Sequence, residues 1–203
     1  MRHAKLALLD VIGGYQPGTA VTAALDAAVK AAGLALETEF GPPDLIAYPE
    51  LVDGIWLCLF DSRDLLHQAN FAAMTAGAMP AQMVPVLTTF QELHPAQNFY
   101  RNTMVMRAGS DGLLFNYISN AHFVVNADAP NVFQVSFTTT AMVPADARIS
   151  PQALKAALNM SETMPLSFGG PPRGPFPSIV TFCDDDLRIN RGDTYISVLR
   201  RLS

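Results

Sequence analysis

The segment Gly-Ile-Trp-Leu-Cys-Leu-Phe, residues 54–60, is where the chain changes from helical spacing to strand spacing. Residues 55–60 are apolar at every position, so a strand formed here must be covered on both faces. Beyond it, short segments rich in β-branched and aromatic residues alternate with turn-forming residues. This rhythm is typical of a mainly β, antiparallel fold.

The two-residue alternation of these strands is clearest at Phe133, Val135 and Phe137, which are separated by polar residues. Antiparallel strands in such number either close into a barrel or stack as a sandwich, and the pattern alone favours neither. We predict strands over 54–61, 84–91, 98–107, 112–119, 121–127, 131–139, 178–184, 186–190 and 193–200, with a turn at Ser119-Asn120 and a proline- and glycine-rich loop over 163–177.

A helical segment is predicted ahead of the strands, within residues 1–40. Apolar residues over 4–12 stop at a pair of glycines, as in a short helix. Thr19 is expected to cap a second helix, and Gly33 is expected to end it. Because the strand at 54–61 is apolar on both sides, we expect both helices to pack on the outside of the β structure, over that strand.

Three further segments complete the predicted organisation. Residues 41–53 contain three prolines and are predicted to form an extended linker. The pattern over 62–83 is weakly helical, and Ser150-Pro151 is suited to open a short helix. At 203 residues, we expect one domain, with a helical part at 1–40 and a barrel at 54–200.

Composition narrows the classes of partner. Half of the residues are hydrophobic and 15% are charged, which argues against disorder and leaves enough apolar surface to line a cavity. The net charge is −5 and there is no basic cluster, so no nucleic acid partner is expected. We find neither a secretory signal nor a membrane-spanning run, and we expect a cytoplasmic protein, with peripheral membrane contact left open.

The sequence contains no complete catalytic or metal-binding motif. There is no Gly-x-Ser-x-Gly elbow, no phosphate-binding loop and no pair of histidines at metal-ligand spacing. We therefore predict no catalytic residue, no metal site and no cofactor. Cys58 and Cys183 are interpreted as buried thiols, with a disulfide as the alternative.

The carboxylates at residues 184–186 are the strongest candidates for a metal site, but they lack the spacing of a calcium loop. On a strand, Asp184 and Asp186 share one face. We expect them to form ion pairs with the nearby Arg188 and Arg191.

A long-range contact is expected at Trp56 if the strands form a barrel. The first and last strands of a closed barrel are neighbours. Arg188 or Arg191, just before the last strand, would then lie over the indole ring in a cation–π contact. The alternative is a core tryptophan with unrelated surface arginines.

Two motifs at opposite ends of the β region resemble those of the plastid-lipid-associated protein (fibrillin) family. Residues 49–56, Pro-Glu-Leu-Val-Asp-Gly-Ile-Trp, are similar to the family's Pro-Glu-Leu-Leu-Asp-Gly-Lys-Trp. Residues 181–192, Thr-Phe-Cys-Asp-Asp-Asp-Leu-Arg-Ile-Asn-Arg-Gly, resemble its Thr-Tyr-Leu-Asp-x-Asp-Leu-Arg-Ile-x-Arg-Gly. The motif positions that we interpret as structural are Gly54, Trp56, Asp184, Asp186, Arg188 and Arg191.

The resemblance implies a lipocalin-like barrel that associates with lipids, carotenoids or prenylquinones in cyanobacteria and plastids, and no established catalytic machinery. Ile55 stands where the family usually has lysine, and no plastid transit peptide is evident, which favours a bacterial protein.

Three functional hypotheses follow. The first is binding of an apolar lipid or isoprenoid inside the barrel, whose expected lining residues are Trp56, Phe60, Phe133, Val135 and Phe137. The second is a scaffolding protein at a membrane or lipid body, with a filled barrel and no small-molecule ligand. The third is an enzyme whose site has no sequence motif. None specifies the ligand, the protein partner or the oligomeric state.

Overall fold

The computed structural model describes residues 2–16, 19–63, 83–108 and 112–202, with backbone alone at Arg2 and 83–87. The helices in these residues are α1 (Arg2–Ile12), α2 (Ala23–Phe40) and α3 (Pro151–Ala157). The strands are β1 (Gly54–Asp61), β2 (Met83–His94), β3 (Phe99–Ala108), β4 (Leu113–Asn126), β5 (Ala129–Pro144), β6 (Ser167–Cys183), β7 (Leu187–Arg191) and β8 (Ile196–Leu202). Nearly all of the segment predicted to be weakly helical, 62–83, lies outside the described residues.

The strands form a closed barrel in which each strand pairs with its neighbours in sequence and β8 pairs with β1. Every pairing is antiparallel. The closing pair runs from Ile55 opposite Leu202 to Asp61 opposite Ser197. The mainly β fold is confirmed, and the closing pair selects the barrel over the sandwich.

Two predicted interruptions of the strands are wrong. A turn was expected at Ser119-Asn120, but β4 runs through it, and its register against β5 shifts between Asn120 and Ala121. A bulge of this kind accommodates an extra residue without ending the strand. The loop expected over 163–177 is largely part of β6, whose prolines coincide with irregular pairing to β5.

Residue 174, within the irregularly paired strand β6, must be glycine. Gly174 has a φ of +130°, and a Cβ atom there would lie 2.6 Å from the carbonyl oxygen of Val135. Only glycine fits this backbone conformation and close approach.

The second helix begins and ends later than the sequence predicts. Its N-cap is Thr22, whose hydroxyl accepts a 3.2 Å hydrogen bond from the Leu25 amide, whereas Thr19 lies outside the helix. Gly33 does not end α2 but lies within it. The absence of a side chain at this position allows the helix to approach the barrel closely. A Cβ atom at Gly33 would come within 3.1 Å of the Ile196 side chain on the barrel.

The helices α1 and α2 pack on the outside of the barrel. They share one set of buried residues, the helix cluster, with strands β1, β6, β7 and β8. Its members are Leu8, Ile12, Val29, Leu36, Phe60, Phe182, Leu187, Ile189, Ile196 and Val198. The predicted outside position is confirmed, and the covered surface extends beyond β1 to the closing strands. α3 begins where predicted, with Ser150 as its N-cap.

Leu8 and Leu6 of α1 provide a matched test of this packing, because Leu8 is fully buried and Leu6 is 50% exposed. Replacing Leu8 with alanine is expected to lower the free energy of unfolding by about 2–4 kcal/mol, since it leaves a cavity against the barrel. Leu6→Ala is expected to change it by less than about 1 kcal/mol. Urea unfolding followed by circular dichroism measures both, and equal effects would contradict the packing of α1.

Candidate binding site in the barrel

Trp56 lies inside the barrel, near the beginning of β1, and is fully buried. Its indole Nε1 donates a 2.9 Å hydrogen bond to the carbonyl oxygen of Val52. The 3-10 turn Pro49–Leu51 precedes it, and Leu51 and Val52 pack against the same buried residues. This turn therefore closes the barrel at the Trp56 end.

Two guanidinium groups lie against the indole ring. The Cζ atoms of Arg188 on β7 and Arg201 on β8 are each 4.7 Å from a ring centroid of Trp56. Both distances fall within the cation–π range of about 6 Å. The contact predicted for Arg188 is confirmed, but Arg191 does not make it. Arg201 was missed, although antiparallel pairing of the first and last strands places it directly opposite Trp56.

Arg201 also fastens the turn that closes this end. Its Nη2 atom donates hydrogen bonds to the carbonyl oxygens of Leu51, at 2.5 Å, and Glu50, at 3.1 Å. These carbonyls lie at the end of the 3-10 turn, where that of Glu50 also accepts from the Asp53 amide and that of Leu51 from the Cys183 thiol. One arginine thus joins β8, the indole and the closing turn.

The interior next to Trp56 is filled by an apolar and aromatic set, the Trp56 cluster. Its buried residues are Leu45, Val52, Trp56, Leu93, Tyr100, Ala121, Phe123, Phe133, Val135, Phe137, Val180 and Leu199. The Tyr100 ring lies 6.2 Å from the centroids of both Phe133 and Phe137. The cluster contains four of the five predicted lining residues.

Phe60 is the exception, and its placement as a lining residue is wrong. The pairing of β1 with β8 is irregular between Cys58 and Phe60. This irregularity places Phe60 in the helix cluster, where its ring centroid is 5.1 Å from that of Tyr15. A bulge reverses the face of the residues that follow it, which strict alternation cannot predict.

The opposite end of the barrel contains a second apolar set, the methionine cluster, which the sequence analysis missed. Its buried residues are Met104, Met106, Ala108, Phe115, Tyr117, Met142, Leu154 and Leu158. Leu154 belongs to α3 and Leu158 is its C-cap residue, so α3 packs against this end. Methionine side chains are unbranched and adapt their shape to what they contact.

A row of polar residues separates the two clusters. Gln91, Asn102, Ser119 and Thr140 lie directly opposite one another across β2, β3, β4 and β5. From the other side of the barrel, the Nη2 atom of Arg188 donates a hydrogen bond to Oε1 of Gln91. We call these five residues the polar row. Arg188, Ser119 and Thr140 are all buried in it.

The PAP_fibrillin family model matches residues 2–199, which is nearly the whole chain and includes both sequence motifs. This chain belongs to the PAP_fibrillin family. A search of curated proteins and a search of solved structures each found no match. None of the helices in the described part of this PAP_fibrillin protein is long and apolar enough to cross a membrane.

The two cysteines of the PAP_fibrillin chain are free thiols, as interpreted from the sequence. Cys183 donates to the carbonyl oxygen of Leu51 at 3.1 Å, and Cys58 to that of Phe60 at 3.4 Å. Burial raises the pKa of Cys58 to about 12 and that of Cys183 to about 11. Both are therefore protonated near neutral pH and are poor nucleophiles.

The carboxylates at 184–186 do not pair with the arginines that the sequence suggested. Lys5 of α1 is 2.7 Å from a carboxylate oxygen of Asp184 and also contacts Asp186. Arg188 instead points into the barrel, while Arg191 points outward to α2. Among the described residues, no group of three or more side chains could hold a metal ion.

Arg191 fixes α2 to the barrel. Its Nε atom lies 2.7 and 2.9 Å from the two carboxylate oxygens of Glu37, and its Nη2 atom donates to the Lys30 carbonyl oxygen. The hydroxyl of Thr181 donates to the same Glu37 carboxylate. The second motif therefore contains arginines with two different roles, one inside the barrel and one outside.

We expect Arg201→Met to lower the free energy of unfolding by about 1–3 kcal/mol, because it removes the charged donor of two hydrogen bonds and a cation–π contact. Arg200→Met is the matched control, since Arg200 is exposed on the same strand. The emission of Trp56, the only tryptophan, is expected to change in the Arg201 variant alone. Equal stability and unchanged emission would contradict the role given to Arg201.

The Lys5 contacts predict a pH dependence. The hydrogen bond from Lys5 lowers the pKa of Asp186. The stabilisation from this ion pair is therefore present above about pH 4, the ordinary pKa of aspartate, and is lost as the pH falls through the lowered pKa. The difference in urea midpoint between wild type and Lys5→Met should therefore shrink on acidification. Lys155→Met is the control, because Lys155 donates to the Glu162 carbonyl, which does not titrate. A Lys5 difference independent of pH would contradict this pairing.

Proposed function

We propose that this PAP_fibrillin protein binds an apolar small molecule, a lipid, carotenoid or prenylquinone, inside its barrel and catalyses no reaction. The observation that carries the proposal is the closed barrel with apolar and aromatic side chains directed into its interior. The interior of an eight-stranded barrel is just wide enough to be filled by side chains or to hold one small ligand. Family membership supports a lipid-associated role.

A matched pair of variants on β5 tests this proposal. Met142 is 2% exposed in the methionine cluster, whereas the next residue, Val143, is 42% exposed on the outer surface. Tryptophan at position 142 adds volume inside the barrel and should reduce ligand occupancy, because it competes for the same space. Tryptophan at position 143 adds the same side chain outside and should leave occupancy unchanged.

The measurement is organic extraction of each natively purified protein, followed by mass spectrometry of the extract. Wild type unfolded in urea and refolded without lipid provides the background. We expect a stoichiometric apolar compound from wild type and Val143→Trp, and markedly less from Met142→Trp. Circular dichroism checks that each variant is folded. Failure to recover any compound, together with failure of the refolded protein to take up an apolar probe, would refute the proposal.

The second candidate is the scaffolding protein with a filled barrel. Its supporting observation is the mutual packing of the aromatic rings in the Trp56 cluster, where the Phe123 and Phe133 centroids are 5.5 Å apart. Ile55 and Leu202, paired at the same end of the barrel, are 43% and 41% exposed and offer apolar surface for a membrane contact. Binding to lipid vesicles without uptake of a ligand would favour this candidate.

A further inference from the structure

Arg188 is a buried cation whose surroundings do not neutralise it. Its side chain is fully buried, and Nη2 contacts the uncharged Gln91. Nε and Nη1 have no hydrogen-bond partner among the described residues, and the same holds for Oδ1 of the neighbouring Asn190. No described carboxylate forms an ion pair with Arg188. By contrast, Arg63, Arg101, Arg148 and Arg191 each contact a carboxylate.

The ionisable groups around Arg188 provide no negative charge to balance its positive charge. Burial lowers the pKa of Arg188, but a guanidinium stays protonated in proteins. Burial raises the pKa values of Tyr100, Cys58 and Cys183, so these neighbours are neutral. Arg201, on the same indole, adds a second positive charge. A buried charge without a counter-charge is strongly unfavourable, and an anion entering the barrel would relieve it.

We propose that the ligand is an amphiphile whose anionic oxygen-bearing head group, a carboxylate or a phosphate, binds Arg188 at the polar row, while its apolar chain lies along the methionine cluster. This inference rests on the proposed function and narrows its ligand class. Nε and Nη1 are the donors left for the head group, and a guanidinium binds both carboxylate and phosphate through paired hydrogen bonds.

The direction of the apolar chain follows from how the two ends are built. The Trp56 end is closed by the turn that Arg201 holds and is filled by interlocking rings. The other end is lined by Met104, Met106 and Met142, with α3 across it. A chain placed there contacts side chains that adapt to its shape, and its head group reaches the polar row from that side.

The direct test uses two fluorescent probes with the same chain, cis-parinaric acid and its methyl ester, titrated into delipidated wild-type protein. We expect the acid to bind about 10–100-fold more tightly, because hydrogen bonds to a buried charged group are lost in the ester. Dodecanoate and dodecyl phosphate then compete with the bound acid, and the stronger competitor identifies the preferred head group.

Arg188→Met should bind acid and ester with equal affinity, whereas Arg200→Met, which changes an exposed arginine on β8, should keep the preference for the acid. Without ligand, Arg188→Met should be at least as resistant to urea as wild type, because an apolar side chain replaces an unpaired buried charge. An arginine with a purely structural role would instead destabilise the protein when removed.

The outcomes separate this inference from the proposed function. Equal binding of acid and ester by wild type would refute the anionic head group and leave apolar binding standing. Binding of neither probe would refute the proposed function itself. Because the comparison of acid and ester uses the wild-type protein, it remains decisive even if Arg188→Met fails to fold.

Discussion

The contact of Arg201 with Trp56 and with the turn Pro49–Leu51 is the interaction on which the barrel's closure depends. Eight strands can pair in sequence and still leave two edges, unless the last strand finds the first. Arg201 lies opposite Trp56 in that final pairing and also holds the turn that covers the barrel end. The same residues therefore fix the register of closure and exclude water from the core beneath it.

Strand β7 contacts both the barrel interior and the helices, because its alternate residues point to opposite faces of the sheet. Arg188 and Asn190 point into the barrel, whereas Leu187, Ile189 and Arg191 face α1 and α2. A shift of β7 by one residue would exchange the two sets and place apolar side chains at the polar row. The motif over 181–192 is thus constrained from both sides of the sheet, which explains why it contains two arginines with different partners.

The sequence predicted features that depend on local patterns. The apolar run after Gly54 correctly bounded β1, and alternation correctly placed Phe133, Val135 and Phe137 inside. Contacts formed only by tertiary packing were missed: Gly33 is set against Ile196, and Lys5 reaches Asp184 from a distant helix. Phe60 was misplaced because a bulge changes the face of a strand without leaving a signal in composition.

The polar row distinguishes the two candidate functions more sharply than the apolar clusters do. Apolar side chains inside a barrel are equally expected of a filled core and of a binding cavity. A filled core of apolar residues of similar volume would avoid the cost of burying Gln91, Asn102 and Arg188 at its centre. A role in binding would account for a buried charge that has no counter-charge, so Arg188 is the residue through which this barrel's architecture and its proposed function are most directly connected.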